Sequence, residues 1–202
     1  MELDRLFHRA ELGRDLLVQP TLGDQTEDFA FARRQRGQTA GYQVLVGPVG
    51  PLEVSDQLWM ARWLLYRIAE EFDVSATLDP KPVKGDWNGA GAHTNFSTKA
   101  MRAADGFQAV VAGAEALGKR IDEHIAGYGA DIEHRLTGMH ETAPWDEFSY
   151  GVSDRGASVR IPWQVEVDGK GYLEDRRPNA NCDPYVVTRL LVDTICSAEV
   201  AD

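Results

Sequence analysis

Cysteine is scarce in this chain: two in 202 residues, Cys182 and Cys196, too few for a disulfide scaffold and at no metal-binding spacing. They read as two buried or half-buried thiols of a reducing compartment. Basic charge is also short, with 21 Lys and Arg against 32 Asp and Glu and a formal charge of −11. Phosphate-backbone binding needs a basic face that displaces counterions, so nucleic acid is excluded as a main partner. No apolar run approaches the roughly 20 residues that span a bilayer. The opening MELDRLFHRAELGRD intersperses acids and lacks the apolar centre of a signal peptide. Together these absences predict a cytoplasmic, soluble chain with no membrane partner. Repeats and low-complexity segments are absent too.

What is present is ordinary globular material, 43% hydrophobic and 26% charged, at a length that fits one domain with a sizeable core. Leu3, Leu6, Phe7, Leu12, Leu16 and Leu17 recur at helical intervals, predicting a helix over residues 1–20 that stops at Pro20. A polar stretch with an apolar island at Phe29–Phe31 follows. Tyr42–Val46 reads as a strand stopped by Gly47-Pro48. A helix is expected from Ser55-Asp56, with Ala61, Leu64, Leu65, Ile68 and Phe72 on its inner face. Val74–Leu78 predicts a strand. Phe107, Val110, Val111, Ala114, Leu117, Ile121 and Ile125 predict one long helix. Ser158–Pro162 and Gln164–Val167 read as strands, with Asp168-Gly169 as a hairpin turn before Gly171–Glu174. The last helix has Asp183 as N-cap, Pro184 at its first position, and Val187, Leu190, Leu191 and Ile195 on its apolar face. This irregular alternation predicts an α+β fold with most strands in one antiparallel sheet.

Four stretches carry chemistry. KGDWNGAGAHTNFSTKAMR (Lys84–Arg102) has too much glycine and small polar residue for a core element. It lacks the strand–GxGxxG–helix context of a dinucleotide site and the lysine of a phosphate loop. Arg135, Arg155, Arg160, Arg176 and Arg177, with Glu141 and Glu174, fall in turns punctuated by Gly, Ser and Thr. Planar guanidiniums match carboxylate and phosphate bidentately, so the cluster points to an anionic substrate. Arg155 and Arg160 sit on opposite faces of a flat strand at this spacing, so both reach one ligand only if the backbone turns, as Gly156 permits. Salt bridges on the surface of an acidic protein are the plainer alternative for these arginines.

GDWNGAGAHTNFSTKAMR, RLTGMHET, RGASVRIP and GYLEDRRPNANCDPYVVT, in that order, resemble the glutamine synthetase family, closest to its eukaryotic-type branch, from about Gly47 to about Ile195. The resemblance implies a glutamine synthetase-like catalytic domain over 47–202, preceded by a divergent stretch at 1–46. It implies an ATP-dependent ligase of nitrogen metabolism that activates a carboxylate as an acyl (γ-glutamyl) phosphate, using Mg²⁺ or Mn²⁺. His93 and Glu174 resemble ligands of the cation that bridges the ATP phosphates. Asn88, Gly89 and Gly91 resemble the loop that holds glutamate, and Arg135 and Arg176 the arginines that clamp its carboxylates. Arg155 and Arg160 resemble those that stabilise the transferred phosphoryl group. Asn95, Ser97 and Tyr172, with Arg160, fall where the family contacts the nucleotide. Glu141 matches the glutamate of the flap that closes over the acyl phosphate and takes a proton as ammonia attacks.

The pattern also departs from the family. No β-grasp domain precedes the motifs, and the family's four additional metal-site glutamates are not matched. Gln43 and Arg36 fall at two of those positions, and within Thr26-Glu27-Asp28-Phe29 only Asp28 is a candidate third ligand. One cation site thus keeps two of its three expected ligands, and the second loses nearly all of its carboxylates. The expected substrates are ATP, glutamate or a related acid, and an altered amine. The alternative is an impaired paralogue that binds nucleotide or glutamate as a regulator, or one subunit of a split enzyme completed by a partner protein. A monomer or dimer is expected rather than the family's ring.

Overall fold

The computed structural model describes residues 45–83, 85 and 87–199, with three strand segments before them. These segments are β1 (Leu17–Thr21), β2 (Phe31–Arg33) and β3 (Thr39–Ala40). The other elements are α1 (Pro51–Glu71), β4 (Val74–Ala76), β5 (His93–Ser97), α2 (Lys99–Arg102), α3 (Phe107–Gly118) and α4 (Ile121–Gly127). They are followed by β6 (Tyr150–Val152), β7 (Val159–Ile161), α5 (Trp163–Asp168), β8 (Leu173–Asp175) and α6 (Pro184–Glu199).

A five-stranded sheet runs β1-β5-β8-β7-β6, and a three-stranded one runs β3-β2-β4. The larger sheet is antiparallel except where β6 pairs parallel with β7. The fold is α+β, as expected. Phe96, Val110, Leu117, Val159, Leu173, Leu190, Leu191 and Ile195 form a shared core between the sheet and the helices. α6 starts as predicted: Tyr185 N–H donates to Asp183 Oδ1 at 3.0 Å, and Val187, Leu190, Leu191 and Ile195 are buried. No described helix is long and apolar enough to cross a membrane.

Several expectations are corrected. The helix over 1–20 fails at its C-terminal end, where Leu17–Thr21 pairs with β5; residues 1–16 lie outside the described residues. β1 is an edge strand, and Pro20, with no N–H to donate, is tolerated there. Most of Tyr42–Val46, together with Phe29, Asp28, Arg36, Gln43 and Lys84, also falls outside the described residues. α1 begins at Pro51, four residues early, because proline suits a first helical turn. Its inner face is Val54, Leu58, Arg62 and Ala69, while Leu64, Ile68 and Phe72 point outward. Apolar residues encircle this helix, so periodicity alone could not choose the side that packs on α6, where Ser55 Oγ lies 3.3 Å from Thr188 Oγ1.

The single long helix predicted through Ile125 is interrupted at Lys119–Arg120 into α3 and α4. Phe148 packs there, and a Cβ on Gly118 would come within 2.7 Å of its ring. Gln164–Val167 is helical (α5), and Asp168-Gly169 ends that helix instead of turning a hairpin. Gly169 takes φ 66° and donates its N–H to Glu166 O. The predicted strands Val74–Leu78, Ser158–Pro162 and Gly171–Glu174 contract or shift to β4, β7 and β8.

Candidate active site

Strand register assembles the site. Asn95 of β5 and Arg160 of β7 are both paired with Glu174 of β8, so the three form one row across the sheet. Strand alternation adds His93 and Arg176 to that face and sends Asp175 and Arg177 to the other. His93 Nδ1 lies 3.1 Å from Glu174 Oε1, and Arg176 Nη1 donates to the same oxygen at 3.4 Å. Arg160 Nε lies 2.5 Å from Oε2. One carboxylate therefore serves two guanidiniums and an imidazole. Burial pushes its pKa up, but His93, Arg176 and Arg160 outweigh burial and hold it down to about 2.

Above the row stands the loop that carries Glu141. Trp145 N–H donates to Leu136 O at 3.0 Å, and Thr137 bridges to Pro144, closing the loop at its base. At its tip His140 and Glu141 take φ 55° and 60°, a left-handed conformation uncommon for side-chain-bearing residues. Glu141 Oε1 lies 3.8 Å from Arg155 Nη1, and its carbonyl accepts from Arg176 Nη2 at 3.3 Å. Leu136, Glu141, Thr142 and Ala143 on this side, with His93, Ala157, Ser158, Arg176 and Arg177 on the other, line a narrow cleft of about 10 Å³. Arg155 lies in the connection between β6 and β7, not on a strand, so the backbone does turn between it and Arg160.

The glycine loop is fixed by a different arginine. Ala90 N–H donates to Pro80 O, Ala92 N–H to Pro178 O and Ala180 N–H to Ala90 O, pinning residues 90–92 between two backbone segments. A Cβ on Gly89 would sit 2.3 Å from Pro80 O, and one on Gly91 2.8 Å from Arg135 Nη1, so both positions need glycine. Arg135 is buried; its Nε donates to Asn179 Oδ1 at 2.7 Å, and its Nη2 to the carbonyls of Arg176, Arg177 and Pro178. In this geometry Arg135 ties the glycine loop to the segment after β8. Asn88 Oδ1 accepts from Gly89 N–H. Ser97 Oγ donates to Gly171 O at 2.6 Å and is buried, whereas Tyr172 is exposed.

Sequence reasoning missed the opposite face of β8. Arg177 grips Asp175 bidentately, Nε to Oδ1 at 2.9 Å and Nη2 to Oδ2 at 2.7 Å, and its guanidinium lies 5.2 Å from both the Tyr128 and Phe148 rings. Tyr128 donates to Asp175 Oδ2 at 2.7 Å, so its oxygen accepts from His124 Nδ1, while His124 Nε2 accepts from Thr194 Oγ1 at 2.8 Å. Burial lowers the His124 pKa to about 4, against the pull of Asp175, and it is this that keeps the ring neutral and makes Nε2 the acceptor. The signal was available: LEDRR read with a strand period of two puts one acid–arginine pair on each face.

A profile of the family described as "Glutamine synthetase, catalytic domain" matches residues 39–194. The chain belongs to the glutamine synthetase family. It is 75% identical over 160 residues to a glutamine synthetase of Streptomyces viridochromogenes, covering 78% of this chain and 46% of that protein. It is 57% identical to one of Frankia alni, over 80% of this chain and 45% of the relative. It is 53% identical to glutamine synthetase root isozyme 1 of Zea mays, over 76% and 43%. The chain thus spans less than half the length of the curated relatives it matches. The four motifs pointed to this family, and both the bacterial and the plant relatives agree with it.

Proposed function

We propose that this chain carries the phosphoryl- and carboxylate-binding part of a glutamine synthetase-like ligase that joins an amine to an acid through an acyl phosphate. The observation that carries this reading is the row of Arg160, Glu174, His93 and Arg176 along a cleft capped by Glu141. A carboxylate is a poor electrophile. Its oxygen attacks the γ-phosphorus of ATP, ADP leaves, and the developing negative charge falls among Arg155, Arg160 and Arg176. The amine nitrogen then attacks the acyl carbon, phosphate departs, and Glu141 takes the proton released from nitrogen. Closure of the Glu141 loop excludes the water that would hydrolyse the acyl phosphate. Asn88, Gly89 and Gly91 hold the acid, with Arg135 acting by fixing their loop, and Asn95, Ser97 and Tyr172 flank the nucleotide. The setting is cytoplasmic.

Members of the family use Mg²⁺ or Mn²⁺, and the donor set tests whether this chain holds such an ion. His93 and Glu174 are suitable ligands, but two fall short of the roughly six an octahedral cation takes. No group of three or more His, Cys, Asp or Glu able to hold a metal occurs among the described residues. Arg160 and Arg176 also compete for the one carboxylate. The described residues do not fit a divalent cation by themselves, and no step is routed through one. The second reading is a nucleotide- or glutamate-binding paralogue, or one part of a split enzyme whose partner supplies further carboxylates.

ADP release by the purified chain with Mg²⁺ or Mn²⁺, ATP, glutamate and ammonia or a panel of amines separates the two. Amine-dependent release, abolished in Arg160→Ala, is the expected outcome for a ligase. Nucleotide binding without release selects the second reading.

A further inference from the structure

We infer that Glu174 acts in this chain as an internal anion, occupying the arginine pocket that a phosphate group must enter. This rests on reading the face as an anion site and adds what holds that site when no substrate is there. The carboxylate is 2% exposed, so little water screens it from its neighbours. Its two oxygens are divided among the candidate phosphate binders: Oε2 lies 2.5 Å from Arg160 Nε, and Oε1 lies 3.4 Å from Arg176 Nη1 and 3.1 Å from His93 Nδ1. A carboxylate between two guanidiniums presents the same acceptor chemistry as a phosphate oxygen.

The consequence is a competition. An incoming phosphate must either displace Glu174 from the guanidiniums or bind beside a buried negative charge. A residue that serves only as a cation ligand has no reason to stay against the guanidiniums when that cation is absent. One substitution separates the two roles. Glu174→Gln keeps the size of the side chain and removes its charge. If Glu174 is held against the guanidiniums as an internal anion, the substitution tightens phosphate binding; if it stands clear of them when no cation is bound, binding is unchanged.

The test is titration calorimetry of inorganic pyrophosphate into the full chain in excess EDTA, at fixed ionic strength. Wild type is expected to bind weakly and Glu174→Gln at least about fivefold more tightly, given the attraction lost between a carboxylate and guanidiniums a few ångströms away. Glu174→Asp retracts the carboxylate by one methylene and is expected to fall between the two. It decides the question should the Gln variant fail to melt cooperatively. Arg160→Gln should abolish the gain when combined with Glu174→Gln. Equal or weaker binding by folded Glu174→Gln and Glu174→Asp overturns the inference while leaving the anion site in place. No pyrophosphate binding by any variant overturns both. Failure of the ADP-release assay alone, with tighter binding by Glu174→Gln, removes the ligase and leaves the internal anion.

Discussion

The two faces of β8 carry the same chemistry and use it differently. On the inner face Asp175 and Arg177 satisfy each other bidentately, and Tyr128, His124 and Thr194 complete the hydrogen bonding. On the outer face Glu174 is divided among Arg160, Arg176 and His93, so one carboxylate is shared by side chains from β5, β7 and the segment after β8. The inner pair is a one-to-one match, and the outer carboxylate is shared along the cleft. A charged pair whose partners match one to one belongs to the architecture, whereas a carboxylate shared along a cleft is a candidate for function.

Breaking each face in turn tests that contrast. Asp175→Asn leaves Arg177 as a buried cation without its counter-charge and is expected to cost about 3–5 kcal/mol of unfolding free energy in urea. Glu174→Gln is expected to cost less than half as much, because Arg160 is partly exposed and can rehydrate. Equal costs would erase the distinction between the faces.

Acid titration of stability separates them again. His124 has a folded pKa of about 4 against 6.5 unfolded, so the unfolded chain binds the proton first. The His124 contribution is complete above pH 6.5 and falls by on the order of 3 kcal/mol as pH drops to about 4. Glu174 acts in a lower window, its stabilisation present above its ordinary value of 4.5 and lost as pH falls toward about 2. Melting temperatures across this range should show both stages, with His124→Gln removing only the upper one. An effect comparable to or smaller than that of Glu174→Gln is expected at the glycine loop. Gly89→Ala forces a Cβ against Pro80 O and should cost about 1–3 kcal/mol, measured by thermal melting.

Much of this was legible in the sequence where local chemistry and period agreed. Asp183-Pro184 followed by Val187, Leu190, Leu191 and Ile195 marks α6, since cap, first turn and apolar stripe all name one helix. The residues of the outer face could be gathered from their motifs, although Asp28 lies outside the described residues. QVEV alternates like a strand, yet it is too short to resist Pro162 before it and a left-handed Gly169 after it, and it coils into α5. The buried side of α1 was misread because Trp59, Trp63, Leu64 and Ile68 are apolar but exposed. The inner face of β8 went unread because its partners, His124 and Tyr128, come from the helical segment some fifty residues earlier, and only the fold brings them to Asp175.

The bidentate grip of Arg177 on Asp175 has a consequence for timing. Asp175 Oδ1 also accepts the backbone N–H of Arg177, so the main chain flanking Glu174 and Arg176 is clamped from below. A ligand arriving at the outer face can then reshape it only by turning side chains about their own torsions. Such rotamer exchange is a matter of nanoseconds or somewhat longer, far faster than any shift of the strand itself.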